Sequence, residues 1–313
     1  MSYRTTDVEV RGGRLRAGVW ESADLPPDAP AEHTVYAVHG VTSSHLAWAL
    51  VAERLVTTAP RTRLVAPDLR GRGRSAGLPG PWGMRRHADD LHALVGTFGR
   101  ADVTAGHSMG GFAVMVAAHR HPGTLGDLVL VDGGVPLPRP EGVPIETLLR
   151  ASLGPAAERL AMTFDGHDAY RRFWRAHPAL ADAWSPAVEA YVDYDLVPGL
   201  DGWHSSSRSD AVAEDSAQLG GGDVEAAWDA TTVMPTFLRS PLGLLAEPPG
   251  LYPPEALDGF AAAHPGFRWD DVEGTNHYTV LLGPRGAERV AGAIAGRFDG
   301  SAVRRRPDRR DPE

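Results

Sequence analysis

The chain has 313 residues, 42% hydrophobic and 23% charged, with a formal charge of −9, a balance that can bury a sizeable core and argues against an electrostatic nucleic-acid binder. It has no cysteine, which excludes disulfides, thiolate zinc sites and a cysteine nucleophile, and all 31 basic residues are arginine, which excludes Schiff-base lysine catalysis. Met1 to Trp20 lacks an apolar run of signal-peptide length, and no stretch approaches the roughly 20 apolar residues of a bilayer span, so a cytoplasmic protein is expected.

Asp7 to Val10 and Leu15 to Trp20 read as two short strands around the Gly12-Gly13 turn, a hairpin signal. After a proline-rich loop, Thr34 to Val38 is a short buried-type strand running into His39-Gly40, and a helix is predicted from about Ser44 to Val56. Leu64 to Ala66 repeats the strand pattern and ends in Pro67-Asp68. Met84 to Phe98 has helical spacing, with Leu91, Leu94, Val95 and Phe98 on one face. Val103 to Ala105 and Leu128 to Val131 are the next strands, with a small-residue helix over Met109 to Arg120 between them. This alternation predicts an α/β protein with a parallel sheet and helices on both faces, because parallel strands need crossover connections. Ligands on such sheets bind beyond the carboxyl ends of the strands, where His39, Asp68, Ser108 and Asp132 stand.

From Val135 to Met234 the alternation breaks, and a helical insertion rich in aromatics is predicted (Phe164, Tyr170, Phe173, Trp174, Trp184, Tyr191, Tyr194, Trp203 and Trp228). Most of these are expected to form the insertion's own small core, and some to line a pocket. The sheet pattern resumes near Thr236 to Leu245, followed by a helix near Pro253 to Ala263, a strand near Phe267 to Val272 and a last helix near Pro284 to Phe298. The expected organisation is a core of residues 1–134 and 235–300, an insertion of 135–234, and a disordered tail of 301–313 that mixes five arginines with three acids.

Gly106-His107-Ser108-Met109-Gly110 matches G-x-S-x-G between a predicted strand and a predicted helix. A serine on such a sharp turn projects out of the sheet, and only glycines let the neighbouring backbone approach so closely. With His39-Gly40-Val41, Pro67-Asp68-Leu69-Arg70-Gly71-Arg72-Gly73-Arg74-Ser75 and Gly274-Thr275-Asn276-His277 in the same order and near the same spacing, the chain resembles the α/β-hydrolases over about its whole length. That resemblance implies an eight-stranded, mostly parallel sheet, a helical cap, and a nucleophile, an acid and a histidine in that chain order. It also implies an oxyanion hole of the backbone N–H groups of Val41 and Met109.

A serine hydroxyl needs a base, and an imidazole, with an ordinary pKa near ~6.5, suits that task at neutral pH. His277, in a loop after the last predicted strand, is the candidate. The acid stays open between Asp132, at a strand end 24 residues after Ser108, and Glu247, the only acid in Pro235 to Pro249. His107 and His39 are read as structural, and the pairs His87/His92 and His119/His121 as solvated helix histidines rather than metal ligands. No cofactor motif is present, because Gly71-Arg72-Gly73-Arg74 lacks the continuation of G-x-G-x-x-G into a helix.

The expected reaction is hydrolysis of a carboxylic ester or lactone of an apolar small molecule through an acyl-enzyme, with thioester or carbon–carbon bond hydrolysis as the alternative. A serine at the nucleophile position disfavours epoxide and haloalkane chemistry, which use aspartate there in this fold. A protein that binds a small molecule without turnover is expected to have lost the serine or the histidine, and both are in place.

Overall fold

The computed structural model describes residues 1–26, 29–138, 142 and 154–298. The predicted tail 301–313, and 139–141 and 143–153 of the predicted insertion, lie outside the described residues.

Period-two alternation builds the sheet. In β3 (His33–Val38) Val35 and Ala37 join one apolar cluster while Tyr36 and Val38 join another, and in β6 (Asp127–Val131) Val129 and Val131 part from Leu128 and Leu130 in the same way. Successive side chains of a strand point to opposite faces, so these inner strands feed two cores and both need a cover of helices. Trp48, Val51 and Leu55 of α1 (Ala49–Thr58) and its preceding turn, with Val290 and Ile294 of the helix Pro284–Ala295, close one core. Leu91 and Leu94 of α2 (Met84–Phe98), Phe112 of α3 (Met109–Arg120), and Trp228 and Leu257 from the helices Gly222–Ala230 and Pro254–Ala263 close the other.

The spatial strand order is β1 (Ser2–Val10), β2 (Gly13–Glu21), β4 (Thr62–Pro67), β3, β5 (Val103–His107), β6, β9 (Thr236–Arg239) and β10 (Arg268–Asp271). β2 pairs antiparallel with β1 and with β4; the remaining pairs are parallel. This is the eight-stranded, mostly parallel, helix-flanked sheet that the resemblance implies. Its register positions the site. Val38 pairs with Gly106, Gly106 with Leu130 and Leu130 with Phe237, so β3, β5, β6 and β9 finish level and deliver His39, Ser108, Asp132 and Ser240 to one edge.

Three predicted elements change shape. The helix expected from Ser44 opens as a 3₁₀ turn over His45–Trp48, where Asp68 Oδ1 accepts both the His45 N–H (2.9 Å) and its ring Nδ1–H (2.7 Å). The sheet segment expected to reach Leu245 stops at Arg239, whose buried guanidinium donates to the carbonyls of Pro249 and Tyr252 and pairs with Asp271, and Pro241 brings no N–H to a ladder. Between β6 and β9, helices at His167–Arg175, Pro186–Asp195, Ser209–Ala217 and Gly222–Ala230 are joined by an unpredicted antiparallel pair, β7 (Leu196–Pro198) and β8 (Trp203–Ser205). Three-residue strands are too short to print an alternation on the sequence. Phe164, Tyr170, Trp174 and Tyr191 are buried in the same cluster as α1, while Trp228 belongs to the opposite core and donates its indole N–H to Gly134 O at 2.8 Å. No helix among the described residues is long and apolar enough to cross a membrane.

Candidate active site

Ser108 sits between β5 and α3 at φ 54° and ψ −126°, a conformation that costs a non-glycine residue roughly 1–3 kcal/mol and persists only where its surroundings enforce it. Close backbone contact enforces it. A Cβ on Gly106 would lie 2.5 Å from Gly110 O, and one on Gly133 would lie 2.5 Å from Ser108 C, so β5, the turn and the end of β6 pack without side chains between them. Gly133 lies outside the G-x-S-x-G run, and the Gly133-Gly134 pair behind Asp132 was its one trace in the sequence. Ser108 N–H donates to Val131 O at 3.0 Å, which ties the serine to the strand that carries Asp132.

Asp132 is fully buried, also at positive φ (46°), and its N–H donates to Leu238 O of β9 at 2.8 Å. Each carboxylate oxygen has its own partner: Oδ1 accepts the Ser240 N–H (3.1 Å) and Oδ2 accepts His277 Nδ1–H (2.7 Å). A carboxylate only accepts, so the bond puts the imidazole proton on Nδ1 and leaves Nε2 with its lone pair. The loop that brings His277 is fastened at several points. Asn276 Nδ2 donates to Ala179 O (2.9 Å), its Oδ1 accepts the N–H groups of Tyr278 and Thr279, and Ser240 Oγ donates to Asn276 O (3.2 Å). His107 Nε2–H donates to His277 O at 2.9 Å, and burial first, then the neighbouring His277, holds the His107 imidazole well below its ordinary pKa and therefore neutral.

Ser108 and His277 meet as walls of one small cleft that is partly open to solvent, with Ala47, Tyr191, Leu244, Leu281 and Leu282 among its other walls. Ser108 Oγ makes no hydrogen bond to the imidazole among the described residues, a looseness common before substrate is bound. Gly40, Val41 and Thr42 line the cleft from the end of β3. His39 Nδ1–H donates to Gly40 O (2.8 Å) while its Nε2 accepts the Leu69 N–H (2.9 Å). In a trans peptide the C=O and N–H point opposite ways, so anchoring Gly40 O turns the Val41 N–H away from His39. Neither Val41 N–H nor Met109 N–H has a partner among the hydrogen bonds of the described residues.

Glu247 stands apart from this constellation. Its Oε2 accepts the N–H of Leu245 (2.7 Å) in an exposed turn, and no bond links it to His277. Asp68 is spent on His45, the Arg74 N–H and Tyr194 Oη. His87 is buried and joined to Asp215 rather than solvated, whereas His92 stacks on His121 at 4.2 Å and His121 bonds Asp89. No group of metal-ligating side chains suited to a metal ion occurs among the described residues.

A family model described as serine aminopeptidase, S33, matches residues 29–194. The chain belongs to this family of α/β-hydrolases. It is 33% identical over 184 residues to the lipase LipV of Mycobacterium tuberculosis, covering 58% of this chain and 64% of that protein. It is 32% identical over 176 residues to the N-formylmaleamate deformylase of Pseudomonas putida, covering 52% and 62%. The matches thus span under two thirds of either curated relative. Among solved structures, E-2-(acetamidomethylene)succinate hydrolase is similar in fold, with a TM-score of 0.72 and 21% identity over 95% of this chain and 100% of that one.

Buried histidines make the hydrolase sensitive to acid. Burial pushes His39 down to about 4, against a weaker pull upward from Asp68, and pushes His177 down to about 4 with help from the Arg159 charge. Between about pH 6.5 and 4 the unfolded chain therefore binds protons that the folded chain refuses, and stability falls as the pH falls. Asp68 and Asp215, held at about 2 by nearby His45 and by His87 and Arg72 despite their burial, extend the loss below the ordinary carboxylate range. The melting temperature is expected to drop by several degrees from pH 7 to pH 4.5, and His177→Gln to flatten that slope; parallel slopes in thermal melts would contradict the assignment to His177.

Proposed function

We propose that this hydrolase cleaves a carboxylic ester or lactone of an apolar small molecule through an acyl-enzyme. Ser108 is the nucleophile, His277 its general base, Asp132 the carboxylate that fixes the imidazole, and the N–H groups of Val41 and Met109 the oxyanion donors. The observation that carries this reading is the 2.7 Å bond from His277 Nδ1 to buried Asp132 in a histidine that shares the cleft with Ser108. With Nδ1–H committed, Nε2 is free to take the Ser108 proton as Oγ attacks the carbonyl carbon. The same nitrogen returns that proton to the leaving alkoxide and then activates water for deacylation. Negative charge developing on the carbonyl oxygen meets two N–H donors already held in place, so no reorganisation is required as it forms.

Ala47, Leu244, Leu281 and Leu282 favour an apolar acyl group, and the cleft's modest size favours a short one. Likeness to a protein named as a lipase supports ester chemistry. The test is a series of p-nitrophenyl esters of increasing chain length, a lactone panel and an acyl thioester, with a fluorophosphonate probe alongside. Short-chain esters are expected to be hydrolysed faster than long-chain ones, and the probe to add to a single serine. An adduct mapped by mass spectrometry to any residue but Ser108 would remove the basis of the proposal, and preference for the thioester would move the substrate class.

A further inference from the structure

The buried loop that lines the cleft after β3 has three successive carbonyls, and each is bonded by a buried side chain. His39 holds Gly40 O, as described above. Arg72 Nε donates to Val41 O at 2.8 Å, and Arg159 donates through an Nη nitrogen to Thr42 O at 2.7 Å. Both guanidinium groups are buried to within 1% of full cover.

Neither arginine belongs to the loop's own neighbourhood alone. Arg72 lies in the turn after β4, where its Nη1 meets Asp215 of the helix Ser209–Ala217 at 2.5 Å and also donates to Arg70 O at 2.8 Å. Asp215 in turn accepts His87 Nε2–H (3.0 Å) and the Gly83 N–H (2.5 Å). The same turn is stitched to the stretch before that helix, since Arg208 N–H donates to Gly71 O (2.9 Å) and Gly73 N–H to Ser206 Oγ (3.2 Å). Arg159 pairs with Asp195 (3.2 Å), at the end of the helix Pro186–Asp195, and donates to Tyr170 Oη (2.9 Å). A guanidinium is a rigid planar fork, so fixing some of its nitrogens on a carboxylate sets where the others point.

We infer that Arg72 and Arg159 are positioning residues that clamp the loop 40–42 from two sides and tie the aim of the Val41 N–H to the helices between β6 and β9. The inference rests on the serine-hydrolase reading. Sequence supplies an internal control, because the neighbouring Arg70 forms a second buried pair in the same motif, with Asp90 (2.8 and 2.9 Å), but spends its other bonds on Pro79 O and Arg11 O, away from the loop.

The experiment compares kcat and KM on a p-nitrophenyl ester for R72M/D215N and R70M/D90N. Each double variant removes a whole ion pair, which spares the fold an unpaired buried charge. A displaced oxyanion donor costs turnover rather than binding, so R72M/D215N is expected to lose kcat by roughly 10-fold or more with KM within about threefold. R70M/D90N, at matched melting temperature, is expected to keep kcat within about threefold. Should R72M/D215N fail to fold, R72K serves: one ammonium cannot reach both Val41 O and Asp215 in the guanidinium's geometry, and an intermediate loss of kcat is expected. Equal kcat in the two double variants, or an R72K variant with wild-type kcat, overturns the inference while turnover stays dependent on Ser108. Turnover that survives Ser108→Ala instead brings down the hydrolase reading and this inference with it.

Discussion

Ser108→Ala is expected to lower turnover of an ester substrate by at least ~10³-fold, because nucleophile, base and acid act as a unit and only binding groups and oxyanion donors remain. The fold should survive intact. Alanine inherits the same φ of 54° at the same cost, and the contacts that hold the turn are backbone contacts through Gly106 and Gly133, which the substitution leaves alone. Activity above a tenth of wild type in purified protein would end Ser108's candidacy.

Asp132→Asn is expected to cost about 10⁴-fold in kcat at little cost in stability, and the structure supplies the reason. Oδ1 of Asp132 accepts the Ser240 N–H, so an asparagine must keep its oxygen there and turn its NH₂ towards His277. Nδ1 of the imidazole then has to accept, the proton moves to Nε2, and the base is lost to the wrong tautomer. Glu247→Gln, by contrast, preserves an oxygen for the Leu245 N–H and is expected to lose less than about tenfold. The reverse order, measured on folded proteins of matched melting temperature, would transfer the carboxylate's role to Glu247.

The helices Met84–Phe98 and Met109–Arg120 coincide with their predicted spans because each carries its own apolar stripe or small-residue run. Ser108 and His277 were visible as candidates for a related reason: each lies in a short motif next to a strand, and local sequence announces it. The acid could not be read this way. Asp132 and Glu247 follow strands that pair with one another, and which carboxylate meets the histidine depends on where β9 ends and how the chain leaves it. That departure is governed by Arg239, whose bonds reach 10 and 13 residues ahead to Pro249 and Tyr252 and across the sheet to Asp271. The work of Arg72 and Arg159 was equally hidden, since carbonyl acceptors have no side-chain signature. The arginine-rich turn after β4 looked uniform in sequence, yet Arg70 and Arg72 serve different ends.

The position of Asp132 has a consequence for how such an enzyme could be altered. With the carboxylate carried by β6, the excursion from Pro241 to Pro253 supplies no part of the proposed proton relay, although Leu244 from that excursion forms one wall of the cleft. The side chains of Leu244 and Leu245 could be exchanged to suit a different acyl chain, provided Ser240 keeps its N–H on Asp132, Gly243 O its bond to His277 N–H, and the Pro249 and Tyr252 carbonyls their bonds to Arg239. In the proposed mechanism the Leu244 wall of the cleft and the proton relay lie on separate segments of the chain, and a side-chain library at residues 244 and 245 would explore one while leaving the other untouched.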